Sequence, residues 1–269
     1  MVGLELVEEA VALLRRGRPP RGFFFDFDGV LAPIQDDPEA ATPDPALLEA
    51  LYQLAAHTRR VAIVSARPVS FLARHIADRR HVTLFGLYGL ERRDVGREPI
   101  TDPDAQRWEP LVHELAGQAR GQLPAQVRVE DKRLSVALHY REAPDLREEV
   151  ERWARRTASA TGLQQIVGRM VVELRPPGHD KGTVIEEQAA PLRSAWYFGD
   201  DVSDLEAFAA LDRRAARDPR FVGVRVALPN PETGAALRGV ADLRVGSPAE
   251  LRGVLAALCD ELSGLGRGA

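Results

Sequence analysis

The chain has 269 residues, 45% of them hydrophobic, which is enough for one large domain or two moderate ones around a sizeable core. A formal net charge of −4 argues against a dedicated nucleic-acid binder, no run approaches a membrane span, and the first nine residues carry three glutamates where a signal peptide would be basic. A cytoplasmic protein without membrane attachment is expected, and its single cysteine, Cys259, in an apolar helical stretch, has no disulfide partner.

Leu4, Val7, Val11 and Leu14 recur at helical spacing and predict a leading helix through Arg16 that docks on the core. Its polar side mixes acids with bases, which disfavours a membrane-surface role. The apolar run that begins at Phe23 predicts a buried strand that stops at two carboxylates, Asp26 and Asp28, and Gly29. Asp44-Pro45 reads as an N-cap followed by proline at the first helical position, opening a helix through about His57. Val61 to Val64 is a second buried strand, which runs into the loop Ser65-Ala66-Arg67-Pro68 and another helix. Val82 to Phe85 is a third, followed by Gly86-Leu87-Tyr88-Gly89. Strands alternating with helices predict an α/β fold with a doubly wound parallel sheet.

After about Asp102 the pattern changes. A helix from Trp108 to about Gln122 precedes strands at Val127 to Lys132 and Ser135 to Arg141; a second helix, Asp145 to about Ala160, precedes Gln164 to Val167 and Met170 to Arg175. This is a separate α+β module, closed by the hinge-like Pro176-Pro177-Gly178. The parallel pattern resumes with a helix after Lys181, strands around Trp196 and from Phe221 to Ala227, and a final helix from Pro248. The expected organisation is a lead-in at 1–21, a core at 22–103 and 177–269, and an inserted cap at 104–176, with hinge closure over a ligand. Ser203 and Glu206 are spaced as a capping box for the helix they precede.

Open α/β sheets place their chemistry at the carboxyl ends of the strands. There stand Asp26 and Asp28, Ser65, Lys181 ahead of its helix, and the cluster Gly199-Asp200-Asp201-Val202-Ser203-Asp204 after the run Ala195 to Phe198. Asp and Gly also make ordinary turns after strands. Two acidic clusters together favour one shared divalent-metal site, because carboxylates gathered without a cation raise one another's pKa values and a hard ion such as Mg²⁺ removes that repulsion. Of 36 cationic residues only Lys132 and Lys181 are lysine. A compact ammonium enters a small anionic site where a broad guanidinium does not. The set suits phosphoryl transfer: Asp26 as nucleophile, Asp28 as acid and base, Ser65 donating to a phosphate oxygen, and Lys181 offsetting charge.

These segments resemble the haloacid dehalogenase superfamily, with its four motifs in order: Asp26 to Val30 (valine where many members have threonine), Ser65, Lys181, and Gly199 to Asp204. The resemblance implies a metal held by the Asp26 side chain, the Asp28 main-chain carbonyl and the Asp200 side chain, with Asp201 and Asp204 in support. The insert accounts for specificity. Alternation in its first hairpin puts Val127, Val129, Val136, Leu138 and Tyr140 on one face and Arg128, Glu130, Lys132, His139 and Arg141 on the other, with Glu173 and Arg175 of the second hairpin on the polar side. On residues alone that face suits either a polyhydroxylated ligand or plain solvation. Val129 to Lys132, Ser135 to Arg141 and Gly168 to Pro176 resemble the cap of trehalose-6-phosphate phosphatases, whose sugar-binding residues map onto Glu130, Lys132 and Glu173. By the same likeness Arg67, His139 and Arg141 join the candidate substrate-binding set. Gly86 to Glu91 and Ala241 to Leu255 match in kind, so the likeness covers nearly everything after about Gly22. Ala66 in place of glycine and Tyr88 in place of histidine depart from the pattern. The resemblance implies a Mg²⁺-dependent phosphatase for trehalose 6-phosphate, a small-molecule partner and no nucleic acid or membrane, with a monomer favoured. Another sugar phosphate as substrate, and a non-catalytic sugar-phosphate sensor, are the alternatives; the second predicts eroded motifs, and none of Asp26, Asp28, Lys181 or Asp200 is missing.

Overall fold

The computed structural model describes residues 3–35, 37–78, 81–168, 170–228 and 235–266. The chain divides into two compact units, residues Met1–Pro99 with Asp180–Ala269, and Ile100–His179. Arg169, in the segment matched to the cap, lies outside the described residues.

The first unit opens with α1 (Leu4–Arg16) and β1 (Arg21–Phe25). Helix α2 (Pro45–His57) begins at Pro45 with the Asp44 side chain accepting from the N–H groups of Ala46 and Leu47, as its sequence predicts. Then come β2 (Arg60–Val64), α3 (Val69–His75), β3 (Val82–Gly86) and a short β4 (Glu91–Arg93). The second unit contains the two-residue β5 (Ile100–Thr101), α4 (Pro103–Gln106), α5 (Glu109–Gln122), β6 (Arg128–Asp131), β7 (Val136–His139), α6 (Arg147–Thr161), β8 (Gln164–Gly168) and β9 (Val171–Arg175). The chain returns to the first unit through α7 (Lys181–Ala189), β10 (Ser194–Gly199), α8 (Leu205–Arg217), β11 (Val222–Ala227), α9 (Ala235–Val240), β12 (Leu243–Arg244) and α10 (Pro248–Gly266).

In the first unit the strands lie in the order β12-β11-β10-β1-β2-β3-β4, parallel except for β4. Burial on both faces explains the continuous apolar runs in the sequence. Successive residues of β1 serve opposite cores: Phe23 and Phe25 pack with Trp196, Phe198, α1, α2 and α10, while Phe24 packs with Tyr197, α7 and α8. The leading helix is part of the first of these cores through Ala10 and Leu14, and Arg15 makes two hydrogen bonds to Glu261 of α10.

In the second unit the two hairpins fuse into one antiparallel sheet of order β6-β7-β9-β8. Val129, Val136, Leu138, Val172 and Leu174 pack on one side against α5 and α6. The register aligns Glu130, Ala137 and Glu173 across three strands on the other side. Strand β7 ends at His139, so Tyr140 still enters the core while Arg141 falls in the exposed turn beyond.

The predicted capping box of Ser203 and Glu206 does not form. The chain enters α8 through a 3₁₀ turn at Val202–Asp204, which moves the cap upstream. There Asp201 accepts from the Val202 N–H, and the Asp204 side chain accepts from the Asp201 N–H. Helix α8 itself starts without a side-chain cap.

Because Leu14 is fully buried, Leu14→Ala should lower unfolding stability by about 3 kcal/mol in urea titrations. Leu4→Ala, at a residue 75% exposed, should leave it unchanged. Equal behaviour of the two variants would mean that α1 does not dock.

Candidate active site

Asp26 is the first residue past β1. Its N–H donates to the Phe198 carbonyl at 2.9 Å, so the β1–β10 ladder, in which Phe25 pairs Phe198, holds the aspartate at the strand end. One carboxylate oxygen accepts from the Phe27 N–H at 2.6 Å; the other accepts from Lys181 Nζ at 2.5 Å. Lys181 also donates to Asp204 at 2.7 Å. Both oxygens of Asp204 are engaged, Oδ1 by Lys181 and the Tyr197 hydroxyl (2.8 Å), and Oδ2 by the N–H groups of Asp200 and Asp201 (2.9 Å each).

Two glycines permit this density. A Cβ on Gly29, at φ +75°, would lie 2.0 Å from an Asp200 carboxylate oxygen, and one on Gly199 would lie 2.4 Å from Asp204 Cγ. Asp200 therefore approaches the Asp26 loop only because position 29 has no side chain.

Asp26, Asp200 and Asp204 are buried, with carboxylate oxygens within 4.8 Å of one another. Burial pushes the Asp26 carboxyl well above the ordinary carboxylate range; Lys181 pulls it down, and Asp204 and Asp200 push it up again. Burial opposes the Lys181 charge, but the Asp204 and Asp26 carboxylates reverse that and hold its pKa well above the usual lysine value. Burial and Asp204 likewise raise the Tyr197 phenol. Three carboxylates against one ammonium leave an excess of negative charge, and an all-oxygen anionic donor set is the kind that hard divalent cations take. Asp204 already serves four donors and shapes the loop, and Asp26 and Asp200 are the candidate side-chain donors to a cation.

Ser65 follows β2, beside β1 in the sheet. Its hydroxyl accepts from the Arg67 N–H at 3.2 Å, a role that leaves the hydroxyl proton to donate. Arg67, predicted to hold substrate, turns its guanidinium onto Asp28, with Nε and one terminal nitrogen 2.8 and 2.9 Å from the two carboxylate oxygens. Asp201 is taken up with capping. Tyr88, at the departure from histidine, is buried at φ +60°, and its N–H donates to the Ser65 carbonyl.

On the polar face of the second unit, Glu173 accepts from the Ser135 hydroxyl at 2.5 Å and lies 3.5 Å from Lys132 Nζ. His139 Nε2 is 2.9 Å from Glu130. Arg141 lies in the exposed turn after β7. A cavity of about 670 Å³, lined by Gln106, Glu109, Pro110, His113, Asp131 and Arg133, contains none of the predicted site residues.

Sequence reasoning assigned no role to Tyr197, Glu91 or Ser135. Tyr197 carried a signal: a phenol inside an otherwise apolar buried strand needs a polar partner, and Asp204, seven residues on in the acidic cluster, supplies it.

A parallel core sheet with these acids at its strand ends and an α+β unit inserted in the chain is the haloacid dehalogenase-like fold. The Bacteroides thetaiotaomicron haloacid dehalogenase-like hydrolase shares it with a TM-score of 0.56 at 14% identity, covering 91% of this chain and 99% of that one. The C-terminal domain of Candida albicans trehalose-6-phosphate phosphatase aligns with a TM-score of 0.76 at 22% identity, over 93% of this chain and 95% of that one. The family model for trehalose-phosphatase matches residues 24–229, and the trehalose-phosphate phosphatase of *Mycobacterium marinum* is 37% identical over 227 residues, 74% of this chain and 55% of the relative. The chain belongs to the trehalose-phosphatase family. It spans about half the length of the curated relatives it matches.

Gly29→Ala should weaken divalent-cation binding at least 10-fold by calorimetry, since the new methyl group displaces Asp200 and adds about 1–2 kcal/mol of left-handed backbone strain. Unchanged affinity would show that Asp200 takes no part in holding the ion.

Proposed function

We propose that this protein is a Mg²⁺-dependent phosphatase that releases phosphate from trehalose 6-phosphate through an aspartyl-phosphate at Asp26. The observation that carries the reading is the position of Asp26 itself, buried, held by Lys181 and the Phe27 N–H, and beside a second acid cluster. Family membership supports the substrate class.

Asp26 attacks phosphorus, the bond to the sugar oxygen breaks, and Asp28 gives its proton to the departing oxygen. Asp28 then takes a proton from water, whose oxygen attacks the same phosphorus and splits the acyl phosphate, freeing Asp26 and inorganic phosphate. Lys181 and the Ser65 hydroxyl offset charge on the transferring group. The Asp26 and Asp200 side chains and the Asp28 carbonyl would hold Mg²⁺, which would supply positive charge to offset the repulsion between the attacking carboxylate and the phosphoryl group. The second unit acts as the cap that reads the sugar, with Glu130, Lys132 and Glu173 on its polar face and His139 orienting Glu130.

Purified protein with Mg²⁺ should release phosphate from trehalose 6-phosphate faster than from other sugar phosphates; a preference for another member of the panel would reassign the substrate. Asp26→Asn should fold and lose activity by at least 10³-fold. Lys132→Ala should raise KM for trehalose 6-phosphate about 10-fold or more while sparing p-nitrophenyl phosphate, which has no sugar to read. A parallel loss on both esters would remove the cap from substrate recognition.

A further inference from the structure

Asp28 lies in the loop after β1, where its side chain is 31% exposed, yet acid–base work in two successive half-reactions needs one fixed direction. The geometry points to Arg67 as the residue that sets it. We propose that Arg67 is a positioning residue for Asp28, an inference that rests on the acid–base role given to Asp28 above.

The fork of two nearly equal hydrogen bonds, 2.8 and 2.9 Å, fixes both the rotamer and the plane of the carboxylate. Each carboxylate oxygen keeps a second lone pair on the side away from the fork. The guanidinium is itself fixed. It lies over the Phe71 ring with 4.4 Å to the centroid, and Phe71 meets Phe27, the residue between the two aspartates, edge to face at 5.7 Å.

The Arg67 backbone is anchored as firmly. Its N–H donates to Ser65 Oγ, its carbonyl accepts from the Leu87 N–H at 2.9 Å, and the next helix is held by the buried Glu91 carboxylate accepting from the Val69 N–H at 2.7 Å. A Cβ on Gly86 would sit 2.8 Å from the Arg67 carbonyl oxygen and 2.5 Å from the Val69 nitrogen. Thus the segment Gly86 to Glu91 is the platform for Arg67, and Arg67 carries that rigidity to Asp28. A loop acid borrows its direction from the neighbouring strand.

The test is a double-mutant cycle of Arg67→Gln with Asp28→Asn in the full chain, with Arg67→Lys as a second variant that keeps the charge and loses the fork. On trehalose 6-phosphate, Arg67→Gln and Arg67→Lys should each lower kcat about 100-fold with KM within about 3-fold of the parent. The p-nitrophenol burst from p-nitrophenyl phosphate should be nearly unaffected, because that leaving group departs without a proton. The double variant should be no slower than Asp28→Asn alone. Multiplying losses in the cycle, or a raised KM with kcat kept, would overturn the proposal and make Arg67 a direct substrate ligand. If the parent is silent on trehalose 6-phosphate but cleaves another sugar phosphate, only the substrate assignment fails, and the cycle is read on that ester. A parent silent on every ester overturns both.

Discussion

Lys181 occupies the first position of α7, where the helix macrodipole disfavours a cation, and is 1% exposed, where desolvation disfavours any charge. Two carboxylates within 2.7 Å make it tenable, and losing both would leave a buried charge uncompensated at a cost of about 3–5 kcal/mol. A chain selected for stability alone would gain by packing an apolar residue there. A buried ammonium is what the proposed charge-offsetting role of Lys181 requires, and it constrains everything around it. Gly182 follows because a Cβ there would lie 2.6 Å from the Glu206 carbonyl oxygen, and that close approach of α7 to the start of α8 delivers Lys181 against Asp204.

The same triad needs the strand ends in register. Phe25 and Phe198 pair across β1 and β10 and stack with centroids 4.5 Å apart, next to Phe23 on Trp196 at 5.7 Å. A one-residue slip would turn every one of these rings to the opposite core and carry Asp26 away from Lys181. Aromatic packing below the site thus fixes the placement of charge above it, and Asp204, saturated by four donors, closes the loop from β10 over the end of β1.

Much of this was legible in the sequence, for physical reasons that can be named. Asp44-Pro45 opens α2 because capping and proline geometry are local, and the apolar runs of β1, β2 and β10 announce strands covered on both faces. The ends Asp26, Ser65 and Asp200 followed from the rule that parallel sheets work at their carboxyl edges. What stayed hidden is pairwise. Spacing could offer Ser203 and Glu206 as a cap, but an intervening 3₁₀ turn gave that role to Asp201 and Asp204. No local pattern tells that β9 lies beside β7, or that Arg67 meets Asp28 from 39 residues away.

The second unit repeats the principle of the first with a different charge balance. Glu130 and Glu173 flank Ala137 in one row of the sheet, about 10 Å apart at the usual strand spacing, and each carboxylate already receives a neighbour, His139 for one and Ser135 with Lys132 for the other. Carboxylates so oriented accept hydrogen bonds from hydroxyl groups and repel anions. Under the proposed function that division of labour has a consequence for discrimination. Under that proposal Glu130 and Glu173 would take the neutral, hydroxyl-rich part of a sugar phosphate, and the phosphoryl group would go to Lys181. An analogue lacking a hydroxyl would leave an acceptor unpaired, a larger penalty than a missing methylene in an apolar pocket could impose. The small Ala137 between the two acids keeps the row open.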